Sequence, residues 1–275
     1  MPDLKQANIT IIGAGHMGGS LIGGLIADGY DPQMICAAAP HGDHLSMLAK
    51  RFGIRTASDN QEAIQGADIV LFAVTPAMMK TVAEECNDAI NQAQPLLMSV
   101  VAGVTTTQFK GWLNGYDKLV RTMPNMPALV GSGATALFGT TEVDQAERDS
   151  AESIMRAVGL TVWVTDETML DTVTAHSGSG PAYFFEFMAA MSGAAVELGL
   201  SKEDARLLAI QTALGAARLA LETEREFDDL IQSVRVPGGT TEAALNVFDD
   251  AQLRTIVKKA MTVARDRAIE LSKEG

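Results

Sequence analysis

The sequence predicts an α/β protein in which a doubly wound, largely parallel sheet precedes an all-helical domain. A short β-branched run at residues 8–12 leads directly into the glycine turn Gly13-Ala14-Gly15-His16-Met17-Gly18 and an apolar helical segment. Strand-like and helical segments alternate up to residue 165, and only helical segments follow. Both observations are typical of a Rossmann-type domain joined to a helical one. We expect a dinucleotide-binding domain over residues 1–165 and a helical dimerisation and substrate domain over residues 166–275.

The sheet is predicted from apolar runs that alternate with amphipathic helices, for example residues 78–90 and 144–158. Strands that alternate with helices indicate βαβ units and a sheet covered on both faces. Ligands of such sheets bind beyond the carboxyl ends of the strands. The predicted strands are residues 9–12, 34–38, 69–74, 96–101, 119–123, 135–138 and 161–164.

The second half is rich in Ala, Leu and Met, and its helical segments are apolar around much of their circumference. Such helices are normally buried. A domain of so few residues cannot bury them all itself, so a second copy of the chain is the expected partner, in a homodimer or a higher oligomer. The predicted helices are residues 183–198, 202–221, 240–248 and 251–271, with a further segment at 227–236.

Composition excludes several other classes of protein. The net charge of −13 argues against nucleic-acid binding, which needs basic patches. No apolar run reaches the ~20 residues that span a bilayer, and no apolar signal region precedes the first strand. Cys36 and Cys86 fall in a predicted strand and a predicted helix, so we expect no structural disulfide and a cytoplasmic location. No Cys or His spacing typical of a metal site occurs.

The glycine turn carries the prediction of a dinucleotide site. Gly13 permits the tight turn, Gly15 lets the backbone approach a pyrophosphate, and Gly18 lets the helix pack close to the strand. The N–H groups and the dipole at the helix start then face the phosphates. A tight turn without a ligand is the alternative.

The end of the second predicted strand bears on the choice of cofactor. It continues through Ala39 without an acid until Asp43, and a carboxylate there would repel a 2′-phosphate. The absence favours NADPH over NADH, with His41 as the nearest donor to the phosphate. In the rival interpretation Asp43 reaches the ribose, and NADH binds.

Three later segments follow predicted strands, where a dinucleotide would lie. They are residues 73–76, 101–104 and 123–127. Each alone could be a strand exit built from turn-forming residues. Together, at one sheet edge, they predict a cleft for cofactor and substrate.

Two segments of the helical half place glycines and hydroxyl side chains before a helix. They are residues 176–184 and 237–242, and each would leave N–H groups unpaired at a helix start, ready for a carboxylate. Capping alone is the alternative, because Ser and Thr are ordinary N-caps.

With these segments in place, the chain resembles the pyrroline-5-carboxylate reductase family over essentially its whole length. The resemblance implies reduction of 1-pyrroline-5-carboxylate to L-proline with NAD(P)H, the last step of proline biosynthesis. It also implies a helical domain that dimerises by interleaving, so that the partner completes the active site. The matching stretches are Gly13-Ala14-Gly15-His16-Met17-Gly18, Ala73-Val74-Thr75-Pro76, Arg121-Thr122-Met123-Pro124-Asn125, Ser177-Gly178-Ser179-Gly180-Pro181-Ala182-Tyr183 and Pro237-Gly238-Gly239-Thr240-Thr241.

The candidate site residues combine the strand-end segments with this resemblance. For the substrate carboxylate they are Val236, Gly238, Gly239, Thr240 and Thr241, and the Thr241 hydroxyl would reach the ring nitrogen. For the cofactor they are Gly13, Gly15, His16, Met17, Gly18, Ala39, Asn60, Ala73, Val74, Thr75, Pro76, Ala102 and Gly103.

Three positions depart from the family pattern. Val236 replaces the usual Ser and removes a hydroxyl that would contact the carboxylate. Thr75 stands where family members commonly carry Lys, and His176 where they carry an apolar or small residue.

The implied chemistry does not require a dedicated general acid, because a cyclic imine can take its proton from solvent before hydride attack. The protein's work is then mainly to position the imine carbon and to exclude water. Thr241 is the expected group nearest the nitrogen. His176 as proton donor is the alternative.

Two other functions are alternatives to reductase activity. A β-hydroxyacid-type dehydrogenase would need a lysine early in the helical domain, whereas residues 171–201 contain none and Lys202 is the first. A non-catalytic NADPH-binding regulator would have no use for the Gly238–Thr241 loop.

Overall fold

The computed structural model describes residues 7–40 and 42–274. The chain forms two compact units. The sheet unit comprises Met1–Ser179 together with Ala264–Gly275, and the helical unit comprises Gly180–Val263. Residues 166–179 therefore belong to the sheet unit by compactness. The expected boundary at residue 165, which divides the chain by the roles of its two parts, stays a prediction.

Within the described ranges, the sheet has eight strands in the order β3-β2-β1-β4-β5-β6-β7-β8. β1 to β6 are parallel, β7 runs antiparallel to β6, and β8 runs parallel to β7. The predicted α/β class and largely parallel sheet are therefore confirmed. The strands are β1 (Ile9–Ile12), β2 (Ile35–Ala38), β3 (Arg55–Ala57), β4 (Ile69–Phe72), β5 (Leu96–Ser99), β6 (Leu119–Met123), β7 (Gly133–Gly139) and β8 (Gly159–Trp163).

Helices cover both faces of the sheet, as expected for a doubly wound fold. One apolar core lies beneath α1, α2 and α6, and a second lies beneath α3, α4 and α5. Side chains alternate along β1, so that Ile11 joins the first core and Ile12 the second. The helices are α1 (His16–Ala27), α2 (Gly42–Phe52), α3 (Asn60–Ile64), α4 (Pro76–Ala93), α5 (Thr106–Trp112) and α6 (Gln145–Arg156).

The remaining helices follow β8, and among the described residues no strand comes after it. They are α7 (Met169–Val173), α8 (Gly180–Glu197), α9 (Lys202–Thr223), α10 (Phe227–Val234), α11 (Thr240–Asp250) and α12 (Leu253–Glu274).

A π-helical segment, Thr174–Gly178, follows α7 directly, and here the prediction of a loop before α8 was wrong. The Ser179 N–H donates to the Thr174 carbonyl at 2.8 Å, so it is not free for a ligand. Gly178 lies against the Met123 side chain and not in a turn. A Cβ at this position would lie 2.9 Å from the Met123 Cε atom.

The helical unit carries many large apolar side chains that its own helices leave exposed, as the sequence predicted. Leu198 is 89% exposed, and Leu221 and Phe227 are exposed by about three-quarters. Such surface is typical of a protein interface rather than of a free monomer.

Both cysteines are free thiols buried in the sheet unit. Burial raises the pKa of the Cys36 thiol, and it raises the pKa of Cys86 to about 12. In the part of the chain that the structure describes, no helix is long and apolar enough to cross a bilayer. The same residues contain no cluster of three potential metal ligands.

Candidate functional site

The glycine turn joins β1 to α1 and packs against the end of β4. Gly13 has φ of +87°, and a Cβ there would lie 2.6 Å from Val74 Cγ1, so both backbone and space require glycine. Gly18 lies under the turn, where a Cβ would approach the Gly13 carbonyl oxygen to 2.8 Å. These two glycines therefore shape the turn itself.

Gly15 is different, because a Cβ built on it meets no atom within 4 Å. It is the N-cap of α1, and the first intrahelical bond runs from the Gly19 N–H to the Gly15 carbonyl at 2.8 Å. The preceding N–H groups of His16 and Met17 thus lie at an open helix start. This geometry fits a pyrophosphate, since backbone and dipole both favour an anion there.

The predicted strand-end segments do come together at one edge of the sheet. Phe72 at the end of β4 pairs with Ile12 on one side and Ser99 on the other. The Ala73 N–H donates to the Ile12 carbonyl at 2.8 Å, which places Ala73 and Val74 beside the glycine turn.

The segments that follow β4 and β5 differ in their role at this edge. Thr75 is the N-cap of α4 and Pro76 its first residue, so both also have a structural function. Ala102 is exposed and Gly103 half-buried, in the loop that connects β5 to α5.

Ala39 and Asn60 occupy the β2 side of the same edge. Ala38 pairs with Ile12 and with Ala57, so Ala39 leaves the sheet next to the glycine turn. Asn60 is half-buried and begins α3. His41 and the side chain of Asp43, which bear on the choice between NADPH and NADH, lie outside the described residues.

His44 contacts the glycine turn, which the sequence did not predict. Its ring Nε2, on α2, lies within hydrogen-bond distance of the Ala14 carbonyl. A carbonyl only accepts, so Nε2 carries the proton.

A cavity of about 560 Å³ lies within the sheet unit next to the β5–α5 loop. Ala102, Gly103 and Pro76, all candidate cofactor residues, form part of its wall. Asp171 also lines it, and burial raises the pKa of this carboxyl. The other residues of the wall are Ala77, Lys80, Val104, Trp112, Thr174, Ala268 and Leu271.

Glu167 links the first residue of α5 to β6, a contact that the sequence did not predict. Its carboxylate accepts the Thr106 N–H at 2.8 Å, the Thr106 hydroxyl at 2.6 Å and Arg121 Nη1 at 2.8 Å. The Arg121 side chain is only 5% exposed, so this carboxylate is its main compensation.

In the helical unit, Val236 and the glycines after it form the turn that begins α11. Gly239 is the N-cap, and its N–H donates to the Val236 carbonyl at 2.9 Å. The Gly238 N–H donates to Glu242 Oε2 at 2.8 Å. Both glycine N–H groups are thus engaged within the protein, contrary to the expectation that Gly239 offers its own to a carboxylate.

The N–H groups of Thr240 and Thr241 precede the first intrahelical bond of α11, from the Ala243 N–H to the Gly239 carbonyl at 3.2 Å. Thr240 is exposed and Thr241 half-buried. This pair is the part of the predicted carboxylate site that matches the geometry of a helix start.

A charged cluster, unforeseen in the sequence, lies beside this turn. Arg235 places Nη2 2.6 Å from Asn246 Oδ1, Nη1 3.7 Å from Asp249 Oδ2, and Nε 4.0 Å from Glu242 Oε1. Glu242 in turn holds the Gly238 N–H.

Comparison with known proteins matches both halves of the chain. A family model for pyrroline-5-carboxylate reductase dimerisation matches residues 167–271, and one described as NADP oxidoreductase, coenzyme F420-dependent, matches residues 8–103. A pyrroline-5-carboxylate reductase of Pseudomonas aeruginosa is 41% identical over 98% of this chain and 99% of its own. That of Escherichia coli is 37% identical over 98% of this chain and 99% of its own.

Solved structures give the same result. A pyrroline-5-carboxylate reductase of Coxiella burnetii superimposes with a TM-score of 0.94 at 46% identity, covering 97% of this chain and 98% of that one. A Plasmodium falciparum pyrroline carboxylate reductase, solved with NADP bound, shares the fold with a TM-score of 0.86 at 24% identity, covering 98% of this chain and 100% of that one.

Proposed function

The chain belongs to the pyrroline-5-carboxylate reductase family, and we propose that it reduces 1-pyrroline-5-carboxylate to L-proline by hydride transfer from NAD(P)H, the last step of proline biosynthesis. The observation that carries this proposal is the relationship over nearly the full length of both chains, at 41% identity. The open helix start at Gly15 supports the cofactor half of the reaction. The free N–H pair at Thr240 and Thr241 supports the substrate half.

The residues around the glycine turn would hold the dinucleotide. Gly15, His16, Met17 and Gly18 would face the pyrophosphate, and Ala73 and Val74 would lie beside it. When bound, the dinucleotide supplies the hydride. The other candidates, which line the same strand ends, are Gly13, Ala39, Asn60, Thr75, Pro76, Ala102 and Gly103.

We propose that NADPH is preferred over NADH, because the sequence after β2 carries no acid before Asp43. A carboxylate beside the ribose would repel the 2′-phosphate. The test is kcat/KM for the two cofactors under identical conditions. A clear preference for NADH would show that an acid reaches the ribose.

For the substrate, the N–H groups of Thr240 and Thr241 would bind the carboxylate, and the Thr241 hydroxyl would orient the ring nitrogen. Val236, Gly238 and Gly239 would form the turn that precedes these N–H groups. The N–H groups of the two glycines are already bonded within the protein and would not bind the substrate. Solvent can protonate the imine, so no acidic side chain is assigned to that step. The protein's contribution is orientation and exclusion of water.

The substrate half of the proposal is tested by Thr241→Val, which removes the hydroxyl and keeps the shape. Loss of one hydrogen bond should reduce kcat/KM for the imine by about two- to tenfold, with little change in NADPH affinity. Thr223→Val is the control, because its hydroxyl only caps the Leu219 carbonyl in the same unit. If His176→Ala abolishes turnover while Thr241→Val behaves like wild type, the roles of the two residues are reversed.

We further propose that the chain works as a homodimer or larger assembly in the cytoplasm, with residues 166–275 as the dimerisation and substrate domain. The match of residues 167–271 to a dimerisation model and the exposed apolar helices support the first part. The two unpaired thiols support the second, since disulfides are typical of oxidising compartments.

A further inference from the structure

The turn proposed for the substrate carboxylate already has a carboxylate beside it. Glu242 is the third residue of α11, and its Oε2 accepts the Gly238 N–H at 2.8 Å. It therefore lies at the same helix start whose dipole would attract the substrate. Two carboxylates at one helix start repel each other, so an uncompensated Glu242 would weaken binding of an anionic imine.

Arg235 is the cation placed to offset this charge. It precedes the turn directly, and its Nε lies 4.0 Å from Glu242 Oε1. Its side chain is 23% exposed, against 67% for Asp249, so its charge is less screened than that of an ordinary surface residue.

Arg235 is also held in place rather than free to swing towards a ligand. Asn246 Oδ1 accepts from Nη2 at 2.6 Å, and Asp249 Oδ2 lies 3.7 Å from Nη1. Both residues lie on the same face of α11 as Glu242, one and two turns further along the helix. The guanidinium thus donates one hydrogen bond to Asn246 and lies within ion-pair distance of two carboxylates on the same helix.

We propose that Arg235 is a positioning residue that determines specificity for an anionic substrate. Its charge offsets that of Glu242, whose carboxylate is held by the Gly238 N–H, so that the Gly238–Thr241 turn accepts a second carboxylate. Arg235 acts through Glu242 and does not touch the substrate. This inference rests on the proposed function, because it takes that turn to be the carboxylate site.

The experiment is a double-substitution cycle on the full-length enzyme. Arg235→Met removes the charged guanidinium and keeps an unbranched apolar stem. Glu242→Gln removes the opposing charge and keeps an oxygen for the Gly238 N–H. For both variants and their combination, the measurements are kcat and KM for the imine, the inhibition constant of L-proline, and the Kd of NADPH by fluorescence.

Arg235→Met should raise the KM for the imine and the inhibition constant of L-proline by about three- to tenfold, the size of one partly screened charge interaction. Its kcat and NADPH Kd should stay near wild type. Adding Glu242→Gln should restore both raised constants to within about twofold of wild type, because the repulsion is gone. Arg235→Lys should also rescue them, since it keeps the charge.

Arg218→Met is the matched control, because Arg218 pairs with Glu222 at 3.7 Å on an exposed part of the same unit. It should leave every constant unchanged. If Arg235→Met leaves the KM for the imine unaltered in an active enzyme, the inference fails. It also fails if the double variant stays as impaired as Arg235→Met, which would mean direct contact with the substrate. A wild-type protein that does not reduce the imine would instead overturn the proposed function.

Discussion

Gly15→Ala should weaken cofactor binding by about 10- to 150-fold while leaving the fold intact. Gly15 has φ of −68°, outside the left-handed region that favours glycine, and its added Cβ would meet no protein atom within 4 Å. A glycine-to-alanine change at a compatible backbone stabilises a protein by about 0.4–1 kcal/mol, because it lowers the conformational entropy of the unfolded chain. The melting temperature should therefore hold or rise.

The added methyl group would clash with the bound cofactor, although it clashes with no protein atom. If the methyl keeps the pyrophosphate from even one backbone N–H, the loss is about 1.5–3 kcal/mol, since one partner is charged. The Kd of NADPH should then rise by about 10- to 150-fold. Titration of NADPH fluorescence, together with thermal unfolding of the same sample, measures both effects.

Two companion variants calibrate the experiment. Gly18→Ala would place a Cβ 2.8 Å from the Gly13 carbonyl oxygen, so overpacking should cost about 1–3 kcal/mol of stability and weaken binding as well. Gly111→Ala, in α5 with no atom near its Cβ position, should affect neither binding nor folding adversely. Wild-type affinity in Gly15→Ala would refute the assignment of this helix start to the pyrophosphate.

Three further predictions concern the stability and the oligomeric state of the protein. Glu167→Ala should lower the free energy of unfolding by about 3–5 kcal/mol, because it leaves the buried Arg121 without its ion-pair partner. Asp117→Ala should cost far less, because its carboxylate is similarly exposed but its partner Lys110 is 52% exposed. Equal losses in urea titrations would contradict this. The free energy of unfolding should decline between about pH 9 and pH 12, because burial raises the pKa of Cys86 to about 12. The thiol therefore ionises first in the unfolded chain. A Cys86→Ala variant whose stability declines equally steeply with alkaline pH would count against this. Light scattering at assay concentration should show at least a dimer, and a fully active monomer would overturn the interface assigned to the exposed helices.

The sequence predicted most strands of the sheet, because their short apolar runs are buried on both faces. It missed β3, since Arg55–Ala57 is short and mostly exposed, so no apolar pattern marks it. The sequence also failed at Thr174–Gly178, where Ser177 and Gly178 indicated a loop. The chain is instead π-helical there, with Gly178 next to the Met123 side chain.

The site was predictable only where backbone geometry is local. The glycine turn follows from adjacent residues, so its structure matches the expectation closely. The hydrogen bond from Thr106 to Glu167 could not be predicted, because the two residues are 61 positions apart and only tertiary packing brings them together. Glu242 lies only four residues after Gly238, and their bond depends on the conformation of the turn between them.

The state of the two thiols has a practical consequence for handling and labelling. A buried, protonated thiol is neither a good nucleophile nor easily oxidised, because the thiolate is the reactive form. Cys36 and Cys86 should therefore stay silent towards alkylating reagents while the protein is folded. A cysteine introduced on an exposed helix would react alone, so a spectroscopic probe can be attached without first removing the native residues.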